Sequence, residues 1–413
     1  MTRKLKDSGI EWVGEIPVNW NINTAFQIFS PVKSKNIGMQ ENNLLSLSYG
    51  RIIKKDINSS FGLLPESFEG YNIIEPDDIV LRLTDLQNDH TSLRVGLSEE
   101  RGIITSAYLT LRAIIDCSPR YLYYQLHSFD ICKGLYGMGA GVRQGLNWEG
   151  IKALKLVVPD IDEQERIVEF LDHQCAEIDA VIAKTKATIE EYKKLKQSII
   201  TDAVTKGIRP NTSLKDSGIE WIGEIAETHP IIKLKYVCQI LDQFRKPVTA
   251  DQRSQNGDVL YDYYGASGVI DKIDDYTIDD HVMLIGEDGA NLRMRNLPLM
   301  YEVNGKAWIN NHAHILKPNE DTCFYYLFYA LEGLDINPYI TGSAQPKLSQ
   351  DNLRNIWIPM PTYDEQKEIA DYIIKKCGEV DTLIAKKTSL LEEMESYKKS
   401  VIYEYVTGKK EVQ

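Results

Sequence analysis

From Glu163 onward the apolar residues Ile167, Leu171, Ile178, Val181, Tyr192, Leu195 and Ile199 recur on a three-and-four spacing, with Gln174, Thr185 and Thr188 filling the remaining positions of the stripe. That period predicts one long amphipathic helix with a seam for a partner helix. A second stripe repeats it: Ile369, Ile373, Val380, Leu383, Leu390, Met394, Tyr397 and Val401. The two stripes are expected to pair, with Glu190, Glu191, Lys193 and Lys194 and their counterparts Glu392, Glu393, Lys398 and Lys399 on the solvated flanks. At ~1.5 Å per residue each helix is a rod of about 60 Å. An isolated stripe of this kind is most often a plain dimerisation coil, so its context decides what it does.

Between the rods the pattern changes to short apolar runs broken by turn signals. Residues 21–158 contain Ile79-Val80-Leu81, Gly102-Ile103-Ile104 and Leu109-Thr110-Leu111; residues 231–361 contain Val282-Met283-Leu284-Ile285, His314-Ile315-Leu316 and Ile356-Trp357-Ile358. Each stretch reads as a mostly β domain with one helix, near Pro119 to Lys133 in the first and Thr322 to Leu334 in the second.

An internal repeat ties these pieces together. LKDSGIEWVGEI at Leu5 to Ile16 returns as LKDSGIEWIGEI at Leu214 to Ile225, Asp162-Glu163-Gln164 returns as Asp364-Glu365-Gln366, and Val204-Thr205 returns as Val406-Thr407. The chain is two copies of one unit, with like ends and unlike middles. This divides it into 1–158 and 209–361, each an opening segment plus a variable domain, and the rods 159–208 and 362–413. The fold class expected is α+β (mixed α/β): two globular domains joined by two long antiparallel coiled-coil helices in a pseudo-twofold repeat. Because the second copy stops where the first runs on into LKDSG, the C-terminus is expected beside the N-terminal LKDSG. Two equal rods between two variable domains read as a spacer.

Composition narrows the partners. The 413-residue chain carries a net charge of −13, and its variable stretches hold 14 basic against 14 acidic and 12 against 17 residues, so neither has the basic footprint of a free-standing nucleic-acid binder. Either the chain leaves DNA alone, or it touches DNA locally while a more basic partner supplies most phosphate contacts. The six cysteines show no C-x-x-C pair, which points to reduced, mostly buried thiols and not to zinc or disulfides. No apolar run approaches a membrane span and MTRKLKDSGIEW lacks a signal-peptide core, so a cytoplasmic location without membrane attachment is expected.

Side chains able to pair with base edges or phosphates gather in the predicted loops: Arg82, Thr84, Asn88, His90 and Arg94 in the first domain, and Asn291, Arg293, Arg295, Asn310, Asn311 and His312 in the second. Two further loops precede the rods at equivalent places and add Arg143 and Gln144, and Gln345 and Lys347. A Gly-rich loop such as 137–144 can lay N–H groups against a phosphate, although no βαβ context makes it a nucleotide fingerprint. Catalytic signatures are missing: there is no Walker A loop, and Asn337-Pro338-Tyr339 lacks the second proline of an adenine-methyltransferase motif. His312 and His314 alternate without a third ligand and read as strand residues. No catalytic residue, metal ligand or cofactor site is assigned to this chain.

The LKDSGIEW-GEIP opening, domains that close on Val157-Val158-Pro159 or Pro359-Met360-Pro361, and DEQ-initiated helices ending at Val-Thr resemble the specificity (S) subunit of type I restriction-modification systems along essentially the whole chain. The resemblance implies two target-recognition domains, each reading one half of a bipartite site in double-stranded DNA, with paired helices setting the gap. It further implies two modification subunits that bind S-adenosylmethionine, and restriction subunits that use ATP and magnesium. Such partners would answer the charge objection. The second copy departs at Ala226, where the first has Pro17, and at Glu227-Thr228-His229-Pro230 in place of Val18-Asn19-Trp20. A scaffold that joins protein partners without reading DNA stays open on the residues alone.

Overall fold

The computed structural model describes residues 3–57, 65, 67–86, 89, 92–138, 145–249, 253, 257 and 259–412. The chain divides into two compact units, residues 1–186 with 389–413, and residues 187–388. Each unit therefore takes part of both long helices, Ile161–Lys206 and Tyr363–Val406.

In the first unit the repeat motif is a hairpin, with Leu5–Asp7 antiparallel to Glu15–Pro17. Its turn follows from the letters D-S-G-I. The Asp7 carboxylate accepts from Gly9 N and the Ser8 hydroxyl from Ile10 N, while Gly9 adopts a φ of 61° that few side chains tolerate. The variable domain is closed by its own ends, Asn21–Thr24 pairing with Lys155–Val158. Its main sheet runs Phe29–Pro31, Leu109–Ala113, Ile79–Leu81, Val95–Leu97 in spatial order, all antiparallel. The helix Pro119–Ile131 starts as its sequence dictates, with Ser118 capping Tyr121 N and Pro119 in the first turn.

The second unit repeats this frame around a different sheet. Leu214–Asp216 pairs with Glu224–Ala226, and Ile231–Lys233 closes on Trp357–Pro359. Six strands lie in the order Cys238–Ile240, Ala313–Pro318, Ile278–Gly286, Met300–Ile309, Tyr261–Gly265, Gly268–Ile273. The run Val282 to Ile285 is uninterrupted because this central strand is covered on both faces. Met283 and Ile285 join the cluster that contains Tyr326 and Ile369, while Val282 and Leu284 pack with Val303 and Ile315.

The pairing of the rods is legible within each unit. In the first, Asp179 meets Lys398 at 2.6 Å and Lys186 meets Glu395 at 3.6 Å, which fixes an antiparallel course. In the second, Lys196 meets Asp381 at 2.7 Å and Arg209 meets Glu368 at 3.5 Å in the same sense. Ile167, Leu171, Ile178, Ile369, Ile373, Val380 and Val401 are buried as expected. Tyr192, Ile199, Leu390 and Met394 are half-buried. Val181, Leu195, Leu383 and Tyr397 are 44%, 48%, 42% and 49% exposed, which corrects their assignment to the seam. Thr185 is buried in its expected place; a straight helix drifts by ~20° per heptad against a 3.5-residue repeat, so the buried stripe passes on to Ile189, Ile200 and Ala203.

The expected closure of the chain on itself is present in the first unit. Tyr403 donates to the Trp12 carbonyl at 3.0 Å, and the Lys409 ammonium donates to the Glu15 carbonyl. Gly408 ends the second rod at a φ of 71°, against Pro17 and Trp20.

Candidate nucleic-acid interface

The conserved letters of the repeat hold each variable domain to its rods. Gln164 accepts from Ser118 N at 2.8 Å and donates to the Pro159 carbonyl at 2.8 Å; Gln366 accepts from Cys323 N at 2.8 Å and donates to the Pro361 carbonyl at 2.9 Å. Glu163 accepts the Trp20 indole N–H at 3.0 Å and pairs with Arg3, and Glu365 faces His229 at 3.4 Å. The replacement of Trp20 by His229 thus preserves a ring nitrogen facing the rod glutamate. These contacts are what the DEQ motif does.

On this frame the loops converge. In the second domain Glu287 N donates to the His312 carbonyl at 2.8 Å, Leu348 N to the Glu287 carbonyl at 2.7 Å and Gly289 N to the Pro346 carbonyl at 3.1 Å. Three separate loops, 286–295, 310–312 and 341–347, therefore form one surface. In the first domain Leu146 N donates to the Leu83 carbonyl at 2.8 Å, so the loop after Ile79–Leu81 also meets the segment leading to the rod.

Comparison with known proteins agrees with this frame. The family described as "Type I restriction modification DNA specificity domain" matches residues 227–393. A type I restriction enzyme specificity subunit of Haemophilus influenzae is 33% identical over 136 residues, which are 33% of this chain and 34% of that protein. The MjaVIII specificity subunit of Methanocaldococcus jannaschii is 25% identical over 336 residues, 75% of each chain. A solved chain, described for complex assembly and conformational transition of a type I R-M system, shares the fold with a TM-score of 0.70 at 14% identity, covering 95% of this chain and 98% of that one. This chain is similar to the type I specificity subunits, by the family model over its second variable domain and by the Methanocaldococcus relative over most of its length.

The candidate readers separate by exposure. Thr84, Asn311, His312, Gln345, Lys347 and Arg293 are exposed, and Arg82 and Asn291 are half-exposed. His312 faces Asp288 at 2.7 Å and Lys347 pairs with Glu287 at 3.1 Å, so each presents a side chain already steadied by a carboxylate. Asn88, His90, Arg143 and Gln144 lie outside the described residues.

Three assignments are corrected by burial. Arg94 is fully buried, and its guanidinium is spent on backbone carbonyls of its own loop. Asn310 is 5% exposed and its carbonyl oxygen accepts from His312 N at 2.7 Å, so it shapes the loop. Arg295 donates to the Glu332 and Leu334 carbonyls at 2.7 Å each, and burial pulls its guanidinium below the usual arginine range. Asn291 bonds to Leu297 N and to the Leu297 and Pro298 carbonyls, which closes its own turn.

The sequence reading missed the ionic knot under the second surface. Arg245 pairs with Glu287 and, at 3.1 Å, with Asp242. His314 is 1% exposed, with Nδ1 at 2.6 Å from Asp242 and Nε2 at 2.9 Å from the Leu348 carbonyl. Both ring nitrogens thus face oxygens, one of a carboxylate and one of a backbone carbonyl. Burial pushes the Asp242 carboxyl up, but hydrogen bonds and charge from His314, with Gln350 and Ile315 N–H, outweigh it and hold it below the usual range. Glu287 is also held low, since the Arg245 and Lys347 contacts outweigh its desolvation. The one available signal was the Asp242-x-x-Arg245 spacing of one helical turn.

Proposed function

We propose that this chain is a type I specificity subunit that selects a bipartite site in double-stranded DNA, each variable domain reading one half. The proposed domains are 1–158 and 209–361, with 159–208 and 362–413 as rods that set the gap and dock two modification subunits. Methyl transfer, cleavage and translocation then reside on partner subunits that carry S-adenosylmethionine, ATP and magnesium. The observation that carries the reading is the convergence of three loops into one polar surface bearing Asn311, His312, Gln345 and Lys347. Amide and cationic side chains on a rigid support are the groups that read base edges and position phosphates. An acidic chain works this way when partners carry the remaining phosphate contacts.

The test is genome-wide adenine methylation in the host with and without the gene. A bipartite motif with a fixed gap should vanish on deletion. Unchanged methylation in a host whose modification subunits are expressed would overturn the reading and favour a scaffold role.

A further inference from the structure

The first domain's reading loop is built around a guanidinium. Arg94 is completely buried, and its Nη1 donates to the carbonyls of Arg82 at 3.2 Å and Thr84 at 2.8 Å. Its Nη2 donates to the carbonyls of Asp85 at 3.2 Å and Asp89 at 2.6 Å. Nε donates to the Tyr136 hydroxyl at 3.1 Å, and Tyr136 in turn donates to the Asp89 carbonyl at 3.1 Å. The backbone of Arg94 is pinned as well, its N–H donating to Asp130 at 2.6 Å. With the Leu83 carbonyl taken by Leu146 N, every carbonyl from Arg82 to Asp85 is occupied from within the domain.

We infer that Arg94 is the positioning residue for reading the first half-site: it gathers the loop's carbonyls inward and leaves Thr84, and Arg82 steadied by Asp89 at 3.6 Å, to face DNA. This rests on the reading proposed above. Two physical arguments carry it. A loop that meets a polyanion is repelled by outward carbonyl lone pairs, and a guanidinium with five N–H donors in a fixed fork can turn four of them inward at once. Asp85 also sits at a φ of 57°, a conformation a non-glycine residue holds only when its surroundings impose it, and the Arg94 fork grips its carbonyl. Readers gain specificity when their support is locked in this way. Lysine offers a point charge without the fork and cannot replace it.

The experiment uses the complex with its modification subunits and duplexes carrying the motif found by methylation mapping, with either half scrambled. Arg94→Ala should lose about tenfold or more of the preference for the intact first half, the size of one mismatched base pair, while keeping its preference for the second half. Millimolar guanidinium chloride, compared with equal sodium chloride, should restore that preference by refilling the vacated fork. Arg94→Lys should show the same loss, and it carries the test if the alanine variant does not assemble. An unchanged first-half preference in both variants, or a parallel loss for both halves without guanidinium rescue, overturns the inference while the reading of DNA stands. If mapping yields no motif that depends on the gene, the reading itself falls and the inference with it.

Discussion

Tyr121 donates its hydroxyl to the Val406 carbonyl at 3.2 Å, at the very end of the second rod, and lies at the same distance from the Val157 carbonyl of the domain's closing strand. Tyr326 does the equivalent in the second unit, reaching the Pro359 carbonyl at 2.6 Å and the Val204 carbonyl at 3.5 Å. One phenol thus joins a domain helix, a closing strand and the C-terminal turn of a rod in each copy. Burial pushes both phenols far above the usual tyrosine range, so they act as neutral donors.

Removing the Tyr121 hydroxyl takes the donor from the Val406 carbonyl, since Gln125 still donates to Val157, and removing that of Tyr326 takes it from the Pro359 carbonyl, a loss of about 1–3 kcal/mol each. Tyr121→Phe and Tyr326→Phe should each lower stability by roughly that amount in urea unfolding. A change below about 0.5 kcal/mol for both would mean that the phenols pack without bonding.

The glycines that end the rods differ in what surrounds them. Gly207 and Gly408 both have positive φ, 77° and 71°, but a Cβ at Gly207 would meet only ordinary contacts at 3.7 Å, whereas one at Gly408 would collide with the Pro17 ring and press on Trp20. Left-handed backbone costs an alanine about 1–2 kcal/mol, and overpacking adds about 1–3 kcal/mol. Gly408→Ala should therefore lower the thermal midpoint clearly more than Gly207→Ala. Equal effects would show that the chain end does not clasp the N-terminal hairpin.

His127 gives the first unit a measurable acid response. The ring is buried, it stacks on Tyr123, and burial together with the Lys398 charge pulls it down to about 4. The unfolded chain takes up this proton near pH 6.5 and the folded chain only near 4, so stability is intact above about 6.5 and falls as the pH drops toward 4. At pH 5 the loss is about 2 kcal/mol, from ~1.4 kcal/mol per pH unit. His127→Leu should remove that part of the decline, seen by comparing urea unfolding at pH 7 and pH 5 for both proteins. Identical declines would assign the acid response to carboxylates alone.

What was legible in the sequence was what duplication made redundant. The rods, the hairpins and the closing strands could be placed because Gln164 and Gln366, or Ser8 and Ser217, stand in matched positions and perform matched bonds. Side-chain type says nothing of direction, and for that reason Arg94 and Arg295 read as loop-surface cations while the fold turns them onto carbonyls. The knot of Asp242, Arg245, Glu287 and His314 joins residues far apart in the chain, so only the sheet that brings them together reveals it.

That knot decides how the second surface should respond to mutation. Lys347 lies exposed beside Glu287, whose carboxylate is shared with Arg245. If Lys347 meets a phosphate, Lys347→Ala should weaken binding of the assembled complex equally on all duplexes and reduce the salt slope by about 1. Asn311→Ala or Gln345→Ala at a base edge should instead cost about 1–3 kcal/mol on the cognate second half-site and relax the preference there. Arg245→Met separates presentation from contact. It removes a cation from Glu287 and Asp242 without touching an exposed reader, so Glu287, with His314 at 3.9 Å and Lys347 at 3.1 Å, leans more heavily on Lys347 and draws it from the ligand. Salt-dependent titrations should therefore give Arg245→Met the reduced slope of Lys347→Ala, and a double variant should add little to either single one. Full additivity would show that Lys347 acts independently of the knot, and an unchanged slope in both would remove it from the phosphate contacts.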